Sequence, residues 1–247
     1  MNSRSGVKPT VAALALSAAM VASMAAEAET VPVSQLKQQT HVHGLAVDRE
    51  NPERLLIATH HGLFGSGLDG KAELISPVQD FMGFTPDPSD SGTLYASGHP
   101  AGGGNLGVIV SKDGGATWQQ LSPGHGGPVD FHQMTVSPAD PQVVYGAYGA
   151  LQVSQDAGRT WSVAGPLPDR LIDLAASAVH ADTLYAATES GLSVSKDGGS
   201  SGETVIDGAP VSLVEVTADG SIYAFVLGQG LVRSEEPDLR FETVADG

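Results

Sequence analysis

The feature that most restricts the fold is an eight-residue motif that returns along the chain. Residues 111–118 read SKDGGATW and residues 154–161 read SQDAGRTW. A third copy begins SKDGG at Ser195 but lacks the tryptophan. Two weaker copies lie at Ser66–Gly70 and around Ser234, where Phe241 replaces the aromatic residue. Five units with a period of roughly 40 residues are typical of β-propeller blades, each built from four short strands.

The segments between the motif copies have strand character. A short run rich in β-branched and aromatic residues precedes each copy and follows an Asp, Pro or Gly turn. No convincing amphipathic helix follows residue 28. We therefore predict an all-β fold, a single β-propeller domain over 29–247 with five blades of four antiparallel strands. Thr30–Leu36 is a candidate to join the last blade and close the ring. The strand-like runs are Leu55–Thr59, Thr93–Ser97, Val143–Ala147, Thr183–Ala187 and Ser221–Phe225.

The repeated pattern Ser-x-Asp-x-Gly-x-Thr-Trp resembles the Asp box of the Asp-box (BNR-repeat) β-propellers. That family includes exported sialidase-like and glycosyl-hydrolase-like proteins of bacteria. The resemblance covers nearly all of 29–247 and implies that each copy is a turn between the third and fourth strands of a blade. In such a turn Asp accepts backbone N–H groups, Gly gives backbone freedom and Trp packs between blades. The motif copies are therefore expected to be structural.

The N-terminus predicts an export signal over 1–28. Arg4 and Lys8 precede an apolar and small-residue stretch, Val11–Ala22, and the triplet Ala-Glu-Ala at 26–28 fits a cleavage site. The apolar stretch is too short to predict a membrane span. We expect cleavage after Ala28, a periplasmic or secreted protein, and no membrane insertion after cleavage.

The composition narrows the classes of partner. The chain has 28 Asp and Glu residues against 12 Lys and Arg residues, and it has no cysteine. Binding to phosphate backbones or anionic lipids needs clustered basic residues, so nucleic acid is not an expected partner. Without cysteine, neither a disulfide nor a thiolate ligand is available. An acidic surface favours cations as partners.

The histidines are the strongest indication of function. Seven of the eight lie in the first 132 residues and recur at matching places in the repeat. Aligning the predicted innermost strands puts His43, Met82 and His132 at one position of three successive blades. Another shared position, two residues earlier and on the same side of the strand, holds His41, Asp80 and Asp130. The remaining histidines of this group lie in turns at the same end of the blades: His60, His61, His99 and His125.

This pattern predicts a metal site on one rim of the propeller. A single histidine in a core or turn is more often hydrogen-bonded than metal-bound, but recurrence at equivalent positions favours ligands. Imidazoles with a thioether suit copper, especially Cu(I), whereas imidazoles with several carboxylates suit zinc. Copper is therefore the predicted cofactor and zinc the runner-up, and Asp80 and Asp130 are expected to orient imidazoles. The predicted direct ligands are His43, His61, Met82, His99 and His132, with His41, His60 and His125 as secondary candidates.

The predicted function is copper handling by storage, delivery or detoxification, with a periplasmic metal donor or acceptor protein as partner. One alternative is a periplasmic scaffold that binds or assembles proteins, which needs none of the histidines. A second is a glycosyl hydrolase of the Asp-box class. The resemblance implies that a sialidase would clamp its substrate with three arginines, and here only Arg170 is well placed on the inner rim. Catalysis is therefore the less favoured reading, and no catalytic residue is assigned.

Overall fold

The structure is a computed structural model that describes residues 30–100 and 102–247. The predicted export signal at 1–28 lies outside the described residues. Twenty-one strands in the described ranges form five sheets, and each sheet is one blade. Neighbouring strands within each sheet are antiparallel. The predicted all-β propeller with five blades of four antiparallel strands is confirmed.

The strands run outward from a central channel in chain order within each blade. Blade 1 contains β2 (Val42–Val47), β3 (Leu55–Thr59), β4 (Gly62–Ser66) and β5 (Lys71–Leu74). Blade 2 contains β6 (Met82–Pro86), β7 (Leu94–Ser97), β8 (Val108–Ser111) and β9 (Gln119–Ser122). Blade 3 contains β10 (Gln133–Val136), β11 (Val144–Tyr148), β12 (Ala150–Ser154) and β13 (Ser162–Gly165). Blade 4 contains β14 (Leu171–Ala176), β15 (Leu184–Thr188), β16 (Gly191–Ser195) and β17 (Glu203–Asp207). Blade 5 contains β18 (Val211–Val216), β19 (Ser221–Val226), β20 (Gly230–Glu235) and β21 (Glu242–Ala245).

The segment before blade 1 does not close the ring. Strand β1 (Thr30–Pro32) pairs with β5 at the outer edge of blade 1, and the short helix α1 (Val33–Gln39) follows it. The expectation that Thr30–Leu36 joins the last blade is therefore wrong. The segment stays on blade 1 because Leu36, which is 3% exposed, packs against Ile57 on the face of that blade.

The repeated motif forms the same hydrogen-bonded turn, which we call the box turn, between the third and fourth strands of blades 2, 3 and 4. In the first of them Ser111 Oγ accepts the N–H of Gly115 at 2.8 Å. The Asp113 carboxylate accepts the N–H and the hydroxyl of Thr117 at 2.8 and 2.6 Å. The same bonds recur at residues 154–160 and 195–201, where they lower the pKa of Asp156 to about 2. The motif therefore stabilises the fold.

The tryptophan of each complete box turn fixes the start of an inner strand. The rings of Trp118 and Phe81 lie 4.8 Å apart between centroids, and the same distance separates Trp161 from Phe131. Both phenylalanines are fully buried. Each directly follows an aspartate, Asp80 or Asp130, so the box turns also hold these two carboxylates in place.

Four boundaries between blades are packed by a shared apolar cluster, and the fifth has none among the described residues. Apolar clusters of buried side chains connect blade 1 to 2, 2 to 3, 3 to 4 and 4 to 5. Among the described residues no such cluster connects blade 5 to blade 1, and β18 does not pack on β2 as the other neighbouring inner strands pack together. The facing side of blade 1 leaves four apolar side chains exposed: Val42, Leu45, Val47 and Leu55.

Candidate metal centre

The strand register can be compared with the predicted alignment of His43, Met82 and His132 on the inner strands. In blades 1, 2 and 3 the box serine, or its counterpart Ser66, lies opposite a leucine or valine of the second strand. That residue in turn lies opposite Val47, Pro86 or Val136 of the inner strand. The residues four positions before these three are His43, Met82 and His132, but β-bulges interrupt the count in blades 1 and 2. Met82 pairs with Ser97, whose counterpart in blade 1 pairs with Gly44, so Met82 and His43 correspond by count and differ by one residue in register.

Two histidines and one aspartate form a compact triad at the boundary of blades 1 and 2. His43 lies in β2, His60 directly follows β3, and Asp80 precedes β6. One ligand atom of each lies within 4.8 Å of the other two, and in 30–100 and 102–247 no other set of three His or acidic residues meets this limit. The imidazole centroids of His43 and His60 are 4.2 Å apart. This spacing places three potential ligand atoms around one ion.

Hydrogen bonds determine which ring nitrogen of His60 is left for a metal ion. His60 Nδ1 lies 2.9 Å from Asp80 Oδ1. A carboxylate only accepts, so Nδ1 of His60 carries the proton and Nε2 remains free. Asp80 is 9% exposed, and the next residue secures it because the N–H of Phe81 donates to the carbonyl oxygen of Thr59 at 3.1 Å. The carboxylate is therefore fixed while the imidazole of His60 keeps access to solvent.

His43 has a buried ring nitrogen without a hydrogen-bond partner. Its Nε2 atom is buried and has no hydrogen-bond partner. Burial lowers the pKa of His43, and the neighbouring His60 lowers it further despite the opposing effect of Asp80. Metal ions bind the neutral form of imidazole, so these surroundings keep His43 in its ligand form at neutral pH.

A second group of side chains lies at the boundary of blades 2 and 3. His99 Nε2 and His132 Nε2 lie 2.9 and 3.0 Å from the same oxygen, Oδ2 of Asp130. His99 Nδ1 also lies 2.9 Å from the carbonyl oxygen of Gly104, which raises the pKa of His99, and Asp130 raises it further. His132 contributes to the lowered pKa of His43, and Asp80 to the raised pKa of His99. The two groups therefore share one electrostatic environment.

A close backbone approach brings this second group next to the first. Gly98 precedes His99 and has a φ of 132°, and a Cβ there would lie 2.5 Å from the carbonyl oxygen of Asp80. Only glycine allows this combination of backbone angle and contact. The turn that carries His99 therefore rests directly on the strand that follows Asp80.

The structure does not bring every predicted ligand into these groups. The ring of His41 lies 5.4 Å from that of His60, at the edge of the triad. His61 Nδ1 instead lies 2.9 Å from the hydroxyl of Thr40. The backbone N–H of His125 donates to Gln152, and its ring bonds to neither group. Met82 is 5% exposed but belongs to none of the five apolar clusters. Five of the seven histidines thus meet at this rim.

Asp80 contacts His60 as the predicted orienting residue would, and it also lies near His43. The sequence predicted an orienting role for Asp80, and the structure places its carboxylate within ligand distance of both triad histidines. Its alignment with His41 and Asp130 was the signal that this strand position faces the rim. His60, a secondary candidate in the sequence, is central to the triad.

The inner strands of all five blades line a cavity of about 640 Å³ at the centre of the ring, with His43 in its wall. Two carboxyl groups also lie in this wall. Asp173 accepts the N–H groups of Leu174 and Val214, each at 2.9 Å, and so connects blade 4 to blade 5. Burial raises the pKa of Asp173 to about 6 despite these bonds. Burial and the charge of Asp173 raise the pKa of Glu215 to about 7, although solvent in the channel reaches its side chain.

Replacing Glu215 with glutamine is expected to stabilise the protein in a pH-dependent way. The pKa of this carboxyl is raised in the folded state from 4.5 to about 7. Folding stability therefore falls as pH rises from 4.5 to 7, because the unfolded chain loses its proton first. Solvent in the channel screens the charge of Glu215 and reduces the effect. The free energy of unfolding of the variant should therefore rise by about 1 kcal/mol at pH 8 and stay unchanged at pH 4. Urea unfolding at both pH values measures this, with Glu242→Gln on the outer strand as the control. An equal change at both pH values would contradict the prediction.

Comparison with known proteins supports the architecture. No family model matches the chain, and no curated protein matches its sequence. Among solved structures, the nidogen/laminin complex matches with a TM-score of 0.61 and 11% identity over 83% of this chain and 79% of that chain. An ancestral GH74 enzyme matches with a TM-score of 0.57 and 14% identity over 82% of this chain and 31% of that chain. The extracellular domain of a hybrid two component system from B. thetaiotaomicron matches with a TM-score of 0.57 and 14% identity over 84% of this chain and 28% of that chain.

These likenesses bear on the fold alone. The chain spans less than a third of the GH74 enzyme and of the sensor protein. Identities of 11–14% do not establish a family for this chain. The resemblance to the Asp-box family therefore rests on the repeated motif alone. No helix in the described ranges is long and apolar enough to span a membrane. The structural comparisons thus place this chain among the β-propellers.

Proposed function

We propose that this protein is an exported copper-binding propeller that holds an ion at His43, His60 and Asp80. The observation that carries the proposal is the buried, unpaired Nε2 of His43 beside a second imidazole and a fixed carboxylate. An unpaired buried polar atom is costly unless something satisfies it. A metal ion coordinated by the triad would satisfy it.

The donor set favours Cu(II) over the alternatives. Two imidazoles and a carboxylate suit a divalent ion better than Cu(I), since the thioether of Met82 is not part of the triad. Sites of nitrogen and oxygen donors bind Cu²⁺ more tightly than other divalent first-row metals, including Zn²⁺. Zinc remains the competing ion because His and carboxylate donors also fit its tetrahedral geometry.

The triad has the features of a site that exchanges its metal. Structural metal sites are closed by four protein ligands, whereas this one offers three and keeps one position open. The side chain of His60 is 39% exposed, so an ion can enter and leave at the rim. This arrangement supports copper storage, delivery or detoxification, with a periplasmic protein as metal donor or acceptor.

The alternative functions have less support. The best-placed arginine for clamping a sugar acid, Arg170, forms an ion pair with Glu189. The paired carboxyls of the channel are Asp173 and Glu215, and Asp173 is occupied in joining two blades. The likeness to a GH74 enzyme therefore supplies no hydrolytic residues. A pure assembly scaffold leaves the unpaired nitrogen of His43 without explanation.

Metal loading of purified protein tests the proposal. We expect copper to bind stoichiometrically when the metal-free protein is equilibrated with Cu(II) and desalted, as measured by elemental analysis. His60→Ala should lose an equivalent of copper, because its side chain is exposed and its removal leaves the fold intact. His180→Ala, which removes the histidine outside the first 132 residues, is the matched control and should retain full loading. Absence of stoichiometric copper and zinc in the unmodified protein would refute the proposal.

A further inference from the structure

We infer that the same rim holds a second metal ion, bound by His99, Asp130 and His132 at the boundary of blades 2 and 3. This inference rests on the proposed function, since it extends metal binding from one blade boundary to the next. The two sites share a His–Asp pair because the blades that form them are structural repeats. Their third ligands differ, since His43 lies in the blade before its boundary and His132 in the blade after its boundary.

The contact between histidine and aspartate is repeated at both boundaries. His60 follows the second strand of blade 1 and contacts Asp80 at the start of blade 2, at 2.9 Å. His99 follows the second strand of blade 2 and contacts Asp130 at the start of blade 3, also at 2.9 Å. Asp130 is secured like Asp80, because the N–H of Phe131 donates to Ser97 Oγ at 3.0 Å. The second boundary therefore reproduces the framework of the first.

The carboxylate at the second boundary has an unsatisfied oxygen. Asp130 is 4% exposed, and its Oδ1 atom has no hydrogen-bond partner. Its other oxygen is shared by two imidazole nitrogens. Buried carboxylates are normally paired on both oxygens or bound to a metal. Oδ1 of Asp130 is thus a buried oxygen that is available as a metal ligand.

The hydrogen bonding of His99 leaves a proton or a metal ion to bridge it to Asp130. The carbonyl oxygen of Gly104 only accepts, so Nδ1 of His99 carries a proton. Nε2 of the same ring faces Oδ2 of Asp130, which also only accepts. A lone pair and a carboxylate oxygen at 2.9 Å repel unless a proton or a metal ion lies between them. A histidine that ligates a metal normally donates its other N–H in this way.

The second site is more open than the first. The side chains of His99 and His132 are 45% and 64% exposed, so solvent and ions reach both rings beside the buried Asp130. Binding must bring their nitrogens to about 2.0–2.1 Å from the metal, closer together than they lie without it. This ordering weakens affinity, so the second ion exchanges faster than the first.

Equilibrium titration with Cu(II) or Zn(II) decides between one ion and two. The unmodified protein is expected to bind two ions per chain, measured by elemental analysis after dialysis and by calorimetry. His99→Ala and His132→Ala should each bind one ion and lose the weaker calorimetric step. His60→Ala should also bind one ion but lose the tighter step, and His180→Ala should bind two.

The variants separate failure of this inference from failure of the proposed function. One ion in the unmodified protein that His99→Ala retains would refute the second site and leave the triad standing. One ion lost in both His60→Ala and His99→Ala would also refute it, because both groups would then serve a single ion. No bound metal in any variant would refute the proposed function itself. Thermal unfolding of each variant confirms that the fold is retained.

Discussion

Replacing His43 with alanine is expected to weaken copper binding at pH 7.5 by more than about 100-fold. Changing residues that only orient metal ligands already costs 10- to 100-fold in affinity, and His43 is proposed as a direct ligand. Burial lowers the pKa of His43, which favours the neutral imidazole that copper binds. A competition titration against a copper chelator measures the dissociation constant. The alanine also removes the unpaired buried Nε2, so the metal-free variant should not be destabilised by a lost hydrogen bond.

His61→Ala is the matched control for this experiment. His61 directly follows His60 in the chain, but its ring bonds to Thr40 and lies outside the triad. Its removal should change the dissociation constant by less than about threefold. Equal affinity in His43→Ala and the unmodified protein would exclude the triad as the copper site. A large loss in His61→Ala would show that the predicted ligand set, with His61 in it, describes the site better than the triad.

Replacing Phe131 with alanine is expected to lower the free energy of unfolding by about 3–5 kcal/mol. Phe131 is fully buried, its ring lies against Trp161, and a Cβ on Gly146 would come within 2.7 Å of it. The loss is a large part of the 5–15 kcal/mol that typically stabilises a domain. Urea unfolding followed by circular dichroism measures it. Because Asp130 and His132 flank this residue, the variant should also lose the second ion.

Phe131→Leu is the control for packing volume. It keeps an apolar side chain in the same space and should cost less than half as much as alanine, since a smaller cavity remains. A cost below about 1 kcal/mol for Phe131→Ala would show that the boundary between blades 2 and 3 repacks around the cavity. The interface would then not hold Asp130 rigidly, and the argument for a fixed second carboxylate would fail.

The sequence predicted the blades and the rim because both depend on repetition. Box turns recur at nearly fixed spacing, and inner-strand residues can be aligned by counting back from them. The alignment of His43, Met82 and His132 needed only this count, but a count does not detect the β-bulges that shift the register in blades 1 and 2. Contacts that arise once in the molecule gave no such signal. The docking of Leu36 on blade 1 is one of these, and it reversed the expected place of the N-terminal segment.

The composition of the triad shows a second limit of sequence reasoning. Asp80 is one of 28 acidic residues, so its presence near histidines carries little weight until distances are known. The adjacent pair His60 and His61 offered no basis for choosing between them. In the turn after β3 only His60 faces Asp80, while Thr40 binds the ring of His61. Which of two neighbouring side chains faces a site is a property of the turn geometry rather than of residue type.

The boundary between blades 5 and 1, which has no shared apolar cluster among the described residues, makes this propeller behave as a linear array with two ends. In repeat proteins stability is a sum of unit and nearest-neighbour interface contributions, so a terminal unit with one neighbour has one such contribution fewer. Helix α1 and β1 reinforce blade 1, so local unfolding should begin at blade 5, where amide hydrogen exchange would be fastest. The histidine rim lies at the boundaries of blades 1, 2 and 3, on the protected side of the array. Fraying of the last blade therefore widens the channel while the metal ligands keep their spacing.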